Sequence, residues 1–351
     1  MSKVKKLSVI LVCDTDPDRT RFGAKPLEGT SIPLSWRGVE EGIPDLLNRI
    51  EACFHHQAHV PKFTWCLRAD EQMRLFYGSY EAFLTQHQPL LQRFKERDDE
   101  LAWHHHYWRL HESSGEWYQE CADKDWMKEN FLKSFQALKA CEEIKSLKTG
   151  WCYMDNDTMQ WAKDVGLSAE LSAMPYQYFC APKNQQGLSY GSYDWAVTGD
   201  CPYSPSQNDY RVKDQSDSAL ESACGLREIP ISVGRSPLLS WLEQGVMSLR
   251  RRRFPEFPIK SSPVSFKITF HPILFNLLWR DFERQIGLME KPIFHAYFHP
   301  DELLRNIDFM TRSAYSIDHL IKNLQFIMKR AKKLDLQIEF QTAAEFREGC
   351  Q

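Results

Sequence analysis

The sequence lacks most of the short signatures that announce a chemistry. No GxGxxG follows an opening strand and no GxxxxGK[ST] occurs, so dinucleotide and P-loop nucleotide sites have no anchor. No HExxH marks a helical zinc site, and neither a serine nor a cysteine nucleophile is expected. The ten cysteines form no CxxC pair; Cys13 in LSVILVCD and Cys66 in FTWCLR sit inside apolar runs, where Cys acts as a small hydrophobe. Neither sign of charge is in surplus. Lys plus Arg number 44 against 47 Asp plus Glu, for a net charge of -3, which argues against wrapping nucleic acid. No apolar run reaches the length of a membrane span, so stable membrane insertion is not expected. The start, MSKVKKLSVILVCDTDPDRT, is basic, but its apolar stretch is short and no small-residue cleavage site follows. It reads as a buried strand rather than a secretory signal, and with unpaired thiols the expected location is cytoplasmic.

What is present is ordinary globular composition over 351 residues, 42% hydrophobic and 26% charged, enough for one large α/β domain or two smaller ones. Aromatic content is high at 13%, with 11 Trp and 13 Tyr, which suits either a thick core or a lined cleft. Short β-rich runs are predicted at Leu7 to Asp14, Lys62 to Arg68, Leu101 to Trp108, Leu147 to Tyr153, Glu228 to Val233, Ser265 to Phe270, Ile293 to His299 and Leu336 to Phe340. Amphipathic helices alternate with them: Gly42 to Phe54, Glu81 to Arg97, Trp126 to Cys141, Asn156 to Val165, Leu274 to Ile286 and Ile317 to Leu334. Such alternation implies parallel strands with right-handed crossovers, hence a doubly wound sheet or a barrel. One irregular excursion, Tyr176 to Ser222, is too long for a simple connector and reads as an ordered cover. The basic run Arg250 to Arg253 reads as a solvated loop or helix end, and His55 and His59 as surface.

Polar residues gather at strand ends. The first strand runs into Asp14-Thr15-Asp16 before Pro17, so two carboxylates project from one side, either into a reaction site or into a self-bonded turn. In DDELAWHHHYW, strand alternation sends His104 and His106 to one face and His105 to the other. The pair can pinch a borderline divalent ion, or the run is a solvated cluster. In PIFHAYFHPDELL, helix initiation alone accounts for Pro300, Asp301 and Glu302, whereas His299 at the strand terminus is a candidate acid or base. His295, four residues deeper, reads as core or as support for the site.

Taken in order, VCDTDPD, GIPDLLNRIEACF, KFTWCLR, DELAWHHHYW, LKTGWCYMDNDTMQWAKDVGLSAELSAMP, CPYSPSQNDYR, REIPISV and FHPDELL resemble the polysaccharide deacetylase family, the NodB-homology carbohydrate esterases, and in particular a divergent cytoplasmic branch. The resemblance covers nearly the whole chain and implies a single domain over 1–351, a distorted (β/α)7-8 barrel. It implies metal-dependent removal of an N-acetyl group from an acetamido sugar, in the cytosol a precursor of surface polysaccharide or O-antigen. Asp14 matches the catalytic base and Asp16 the acidic metal ligand, with the two roles interchangeable because the family's acids are usually adjacent. His104 matches the first metal histidine. The usual second falls on Trp108, so His106 takes its place, and the ion is a divalent metal, zinc first. Lys148, in Lys148-Thr149-Gly150-Trp151, stands where the family carries arginine. Trp108, Lys148, Trp151, Asp194 and Trp195 are the expected substrate-binding residues, and His299 matches the last catalytic histidine. The partner implied is a carbohydrate carrying an acetamido group, and the oligomeric state is left open. These departures also admit a degenerate barrel that binds glycans or serves assembly, or a metal hydrolase of a different substrate.

Overall fold

The computed structural model describes residues 5–18, 34–55, 60–184, 186–215, 225–236, 263–304 and 315–349. His59, Arg250 to Arg253 and the last part of the expected excursion, 216–222, lie outside the described residues.

The strands in chain order are β1 (Lys5–Thr15), β2 (Thr64–Arg68), β3 (Glu100–His105), β4 (Trp108–His111), β5 (Glu116–Gln119), β6 (Ser146–Thr149), β7 (Ala169–Glu170), β8 (Tyr178–Cys180), β9 (Ser192–Asp194), β10 (Arg227–Glu228), β11 (Val233–Arg235), β12 (Pro263–Ser265), β13 (Ile293–Phe298) and β14 (Leu336–Phe340). The helices are α1 (Ile43–Phe54), α2 (Glu71–Tyr77), α3 (Ala82–Gln86), α4 (Gln88–Glu96), α5 (Lys124–Lys139), α6 (Asn156–Asp164), α7 (Pro272–Ile286), α8 (Ile317–Lys333) and α9 (Ala343–Glu348). The periodicity therefore located most of the helices. Glu81 to Arg97 splits at His87, whose φ of -116° departs from helical geometry.

Eight strands form one sheet in the order β10-β7-β6-β3-β2-β1-β13, with β14 also on β1, and every pairing is parallel. β1 is buried from Val9 onward and apolar on both faces from Val9 to Cys13, as a strand covered on both sides must be. α1 turns Ile43, Leu46, Leu47, Ile50 and Phe54 onto the sheet, the stripe that its sequence spacing predicts. The seam between β10 and β13 is stitched by single bonds: Ser232 N donates to the His295 carbonyl at 2.9 Å, and His295 N to Ser232 Oγ at 3.0 Å. His295 is fully buried, its Nδ1 2.9 Å from the Ile229 carbonyl, and so draws the two ends of the curled sheet together, an arrangement consistent with a distorted barrel.

Beside this seam Glu170 and Glu228 are register partners on β7 and β10, and both are fully buried. Burial first, and then the Glu170 carboxylate, hold Glu228 well above the ordinary carboxylate range. A carboxyl whose folded pKa is raised binds its proton more tightly in the native state. Its contribution is complete below the unfolded pKa and is lost as pH rises through the folded value. Glu228→Gln, which carries a permanent N–H in place of that proton, is expected to raise the urea midpoint at mildly alkaline pH more than at mildly acidic pH. An equal change at both would mean that the pair does not share a proton.

Candidate functional site

The C-terminal ends of β1, β2, β3, β6 and β13 carry Asp14 and Asp16, Arg68, His104 with His106, Lys148 and His299. β3 ends at His105, earlier than the predicted Trp108, yet the alternation carries through His106, because His104 Nε2 and His106 Nε2 lie 3.0 Å apart. Asp16 Oδ1 completes the triangle, 3.5 Å from His104 Nε2 and 3.3 Å from His106 Nε2. His105 faces the other way, its Nδ1 3.2 Å from Ser134 Oγ of α5 and its ring against Trp103 and Phe131.

The triangle fits a metal. Bonds of about 2.0–2.1 Å at tetrahedral angles put ligand atoms roughly 3.3 Å apart, near the observed edges. His104 Nδ1 lies 2.9 Å from the Lys148 carbonyl, which fixes Nδ1–H as donor and leaves the Nε2 lone pair facing inward. Burial would raise Asp16, but His104, Arg68 and His106 outweigh it and hold the carboxyl well below its usual range. Burial lowers His104, but Asp16 and Asp14 prevail and raise it; burial and Arg68 pull His106 down to about 4.

Under His106 the chain turns through Gly150. A Cβ there would stand 2.0 Å from His106 Nδ1 and 2.1 Å from its Cγ. Trp151 and Cys152 follow with φ of 54° and 53°, a left-handed pair that non-glycine residues seldom adopt. The Trp108 ring is stacked on that of His106, with centroids 5.6 Å apart. The position where the resemblance would place a second ligand histidine therefore covers the histidine that stands in for it.

Asp14 is buried beside the triangle. Lys148 Nζ lies 3.3 Å from its Oδ2 and 4.1 Å from the Tyr297 ring centroid, while its Oδ1 has no hydrogen-bond partner among the described residues. Burial lowers Lys148, but Asp14 overcompensates and holds the ammonium above its usual pKa. Opposite, His299 Nε2 is 3.8 Å from Asp14 Oδ2 and 3.9 Å from Asp16 Oδ2. Its Nδ1 lies 3.3 Å from Glu302 Oε1, and Glu302 also takes Lys267 and, at 2.5 Å, the Thr269 hydroxyl. Helix initiation does not account for Glu302. It is fully buried on a short 3-10 turn (Pro300–Leu303) and holds the histidine.

Sequence reasoning also missed Arg68. It is 3% exposed and its guanidinium reaches Asp16, Asp70 and, at 2.9 Å, Gln72. The arginine at the end of KFTWCLR was the available signal, since a charged residue closing a fully buried strand needs a partner.

The remaining expected residues border the site through Trp151, whose ring meets that of Trp108 at 6.4 Å. Trp151 is half-buried between Phe179, stacked at 5.9 Å, and Tyr190 at 5.5 Å. Trp195 is fully buried and donates Nε1–H to the Cys152 carbonyl at 2.8 Å. Asp194 pairs with Arg211 and accepts from Ala196 N at 3.1 Å. GLSYG, residues 187–191, has the spacing of a serine elbow but forms the loop of the β8–β9 hairpin. Ser189 Oγ donates there to the Ala181 carbonyl at 3.2 Å, and no strand-to-helix turn presents it as a nucleophile. The eight cysteines among the described residues are free thiols.

The described residues contain no helix long and apolar enough to cross a membrane. No family model and no curated protein matches the chain. Among solved structures it is similar to a Thermococcus litoralis 4-alpha-glucanotransferase, with TM-score 0.40 and 11% identity over 97% of this chain and 38% of that one. It is also similar to a Mycobacterium smegmatis protein provisionally assigned as a polysaccharide deacetylase, with TM-score 0.50 and 14% identity over 100% of this chain and 92% of that one. That likeness spans both chains, and what the two share is a deacetylase-like α/β fold.

Proposed function

We infer that the protein is a metal-dependent hydrolase that removes the N-acetyl group from an acetamido sugar, with a cytoplasmic polysaccharide precursor as substrate. The triangle of Asp16 Oδ1, His104 Nε2 and His106 Nε2 beside a buried carboxylate with a free oxygen carries this reading. A divalent ion held by Asp16, His104 and His106, zinc first, would polarise the acetyl carbonyl and, as zinc, bring the pKa of a water toward ~7. Asp14 Oδ1 takes the proton of the attacking water, with Lys148 fixing the other oxygen of that carboxylate. As the C–O bond forms and the C–N bond breaks, His299 Nε2 gives its proton to the departing amine. Glu302 holds His299 through Nδ1, which keeps Nε2 directed at the reaction. The acetyl group leaves with the water's hydroxyl as acetic acid, which passes its remaining proton to the freed amine to give acetate and the ammonium form of the amino sugar. Asp14 releases its proton to solvent and His299 takes one back from solvent, because the 3.8 Å between Asp14 Oδ2 and His299 Nε2 is too long for direct transfer.

His104→Ala is expected to lose stoichiometric metal and to drop deacetylation of nucleotide-linked or lipid-linked acetamido sugars to background. Elemental analysis and acetate release check it; undiminished activity would remove His104 from the ligand set. A wild-type protein that binds sugar but no metal would return the glycan-binding alternative.

A further inference from the structure

The guanidinium of Arg68 bonds the same Asp16 oxygen that faces both histidines. We propose that Arg68 is the site's resident counter-cation, which neutralises Asp16 when no metal is bound and competes with an entering ion for that oxygen. The inference rests on the metal-site reading above and adds what sets the affinity.

Arg68 is fixed from several sides. Asp70, fully buried, binds its Nε and also caps α2 by accepting from Met73 N at 3.1 Å. Gln72 holds the second nitrogen at 2.9 Å, and the Arg68 backbone N donates to Thr15 Oγ1 at 3.1 Å. The third arm is thus aimed at Asp16 by the protein and does not follow a passing charge. Outer partners that strengthen a metal site accept protons from ligand histidines and so raise their basicity. Arg68 does the opposite: it donates into a ligand oxygen and withdraws charge from it. It also places a positive charge beside a prospective divalent ion, in a buried setting where such repulsion is weakly screened.

The charge count agrees. Asp14, Asp16 and Asp70 supply three negative charges, and Arg68 and Lys148 return two, which leaves less than a divalent ion would balance. A site of this composition folds without its ion and binds it exchangeably. Only displacement of the guanidinium, or sharing of Oδ1, gives the ion its carboxylate.

The test is the double variant R68Q/D70N, which removes the competing donor without leaving Asp70 as an unpaired buried carboxylate and keeps the local charge unchanged. Zn2+ affinity is measured by competition with a chromophoric chelator, and the Zn2+-induced rise in Tm is followed in parallel. The double variant is expected to bind Zn2+ about tenfold or more tightly, opposite in direction to the loss that follows when a supporting partner of a metal ligand is removed and similar to it in size. It should also show the larger Zn2+-induced rise in Tm. Equal or weaker affinity in the variant, with the wild type binding Zn2+, overturns this proposal and leaves the hydrolase reading standing. Zn2+ bound by neither form overturns both. If the double variant does not fold, R68K serves: Asp70 retains the ammonium, the arm to Asp16 is lost, and affinity rises severalfold. Unchanged affinity in R68K overturns the proposal in the same way.

Discussion

Gly150→Ala is expected to abolish metal binding and to destabilise the protein by about 1–3 kcal/mol or more, the range for forcing atoms into a filled interior. The added methyl would meet the His106 ring at 2.0–2.2 Å. The Trp108 ring, parallel to that of His106 at 5.6 Å, restricts its movement. The backbone cannot easily drop, since Thr149 is bound to Ser172 through its N–H at 2.7 Å and to the Tyr153 carbonyl through its hydroxyl at 2.5 Å. His106 must rotate, and with it goes one corner of the triangle. Gly199→Ala is the control: a Cβ there meets nothing within 4 Å, so metal stoichiometry and Tm should stay at wild-type values. Full zinc occupancy in Gly150→Ala, measured by elemental analysis, would show that His106 is not a ligand.

Asp14→Asn and Asp16→Asn are expected to fail differently, which separates two carboxylates that the sequence leaves interchangeable. Asp14 has a free oxygen and a lysine at its back, whereas Asp16 faces both ligand nitrogens. Asp14→Asn should keep its metal and lose about 10²–10⁴-fold in kcat, the usual worth of a general base. Asp16→Asn should lose the metal itself. The opposite pairing, metal lost from Asp14→Asn and retained in Asp16→Asn, would exchange the two roles. Asp14→Asn also removes the carboxylate that pairs with the buried Lys148 ammonium, so Tm is measured alongside kcat to separate misfolding from lost chemistry.

Those parts of the site that follow from strand alternation and strand ends were legible in the sequence. Asp14 and Asp16 close a buried apolar run, His104 and His106 share a face, and His299 directly follows β13; each is a local pattern. The partners that tune them come from distant stretches and leave no local trace. Arg68 meets Asp16 across 52 positions and Lys267 meets Glu302 across 35. Glu302 was concealed by a sufficient local explanation, since an acid after proline suits a helix start whether or not it is buried. Gly150 carries no sign in sequence that an imidazole rests on it. The break after His105, where the chain turns into the β4–β5 hairpin, was hidden for a similar reason: Trp108 fits a continued strand as well as a new one.

β1 joins both extremes of the polypeptide: Lys5 lies beside Leu336 and Cys13 beside Phe298, while Asp14 and Thr15 take their neighbours from β2. Pairings so remote in sequence form slowly, because the closure entropy precedes any reward. A ribosome delivers β1 and β2 long before β13 and β14. During synthesis the edge of β1 that meets β13 and β14 therefore waits unpaired, and the reaction centre matures late, when His299 arrives behind β13.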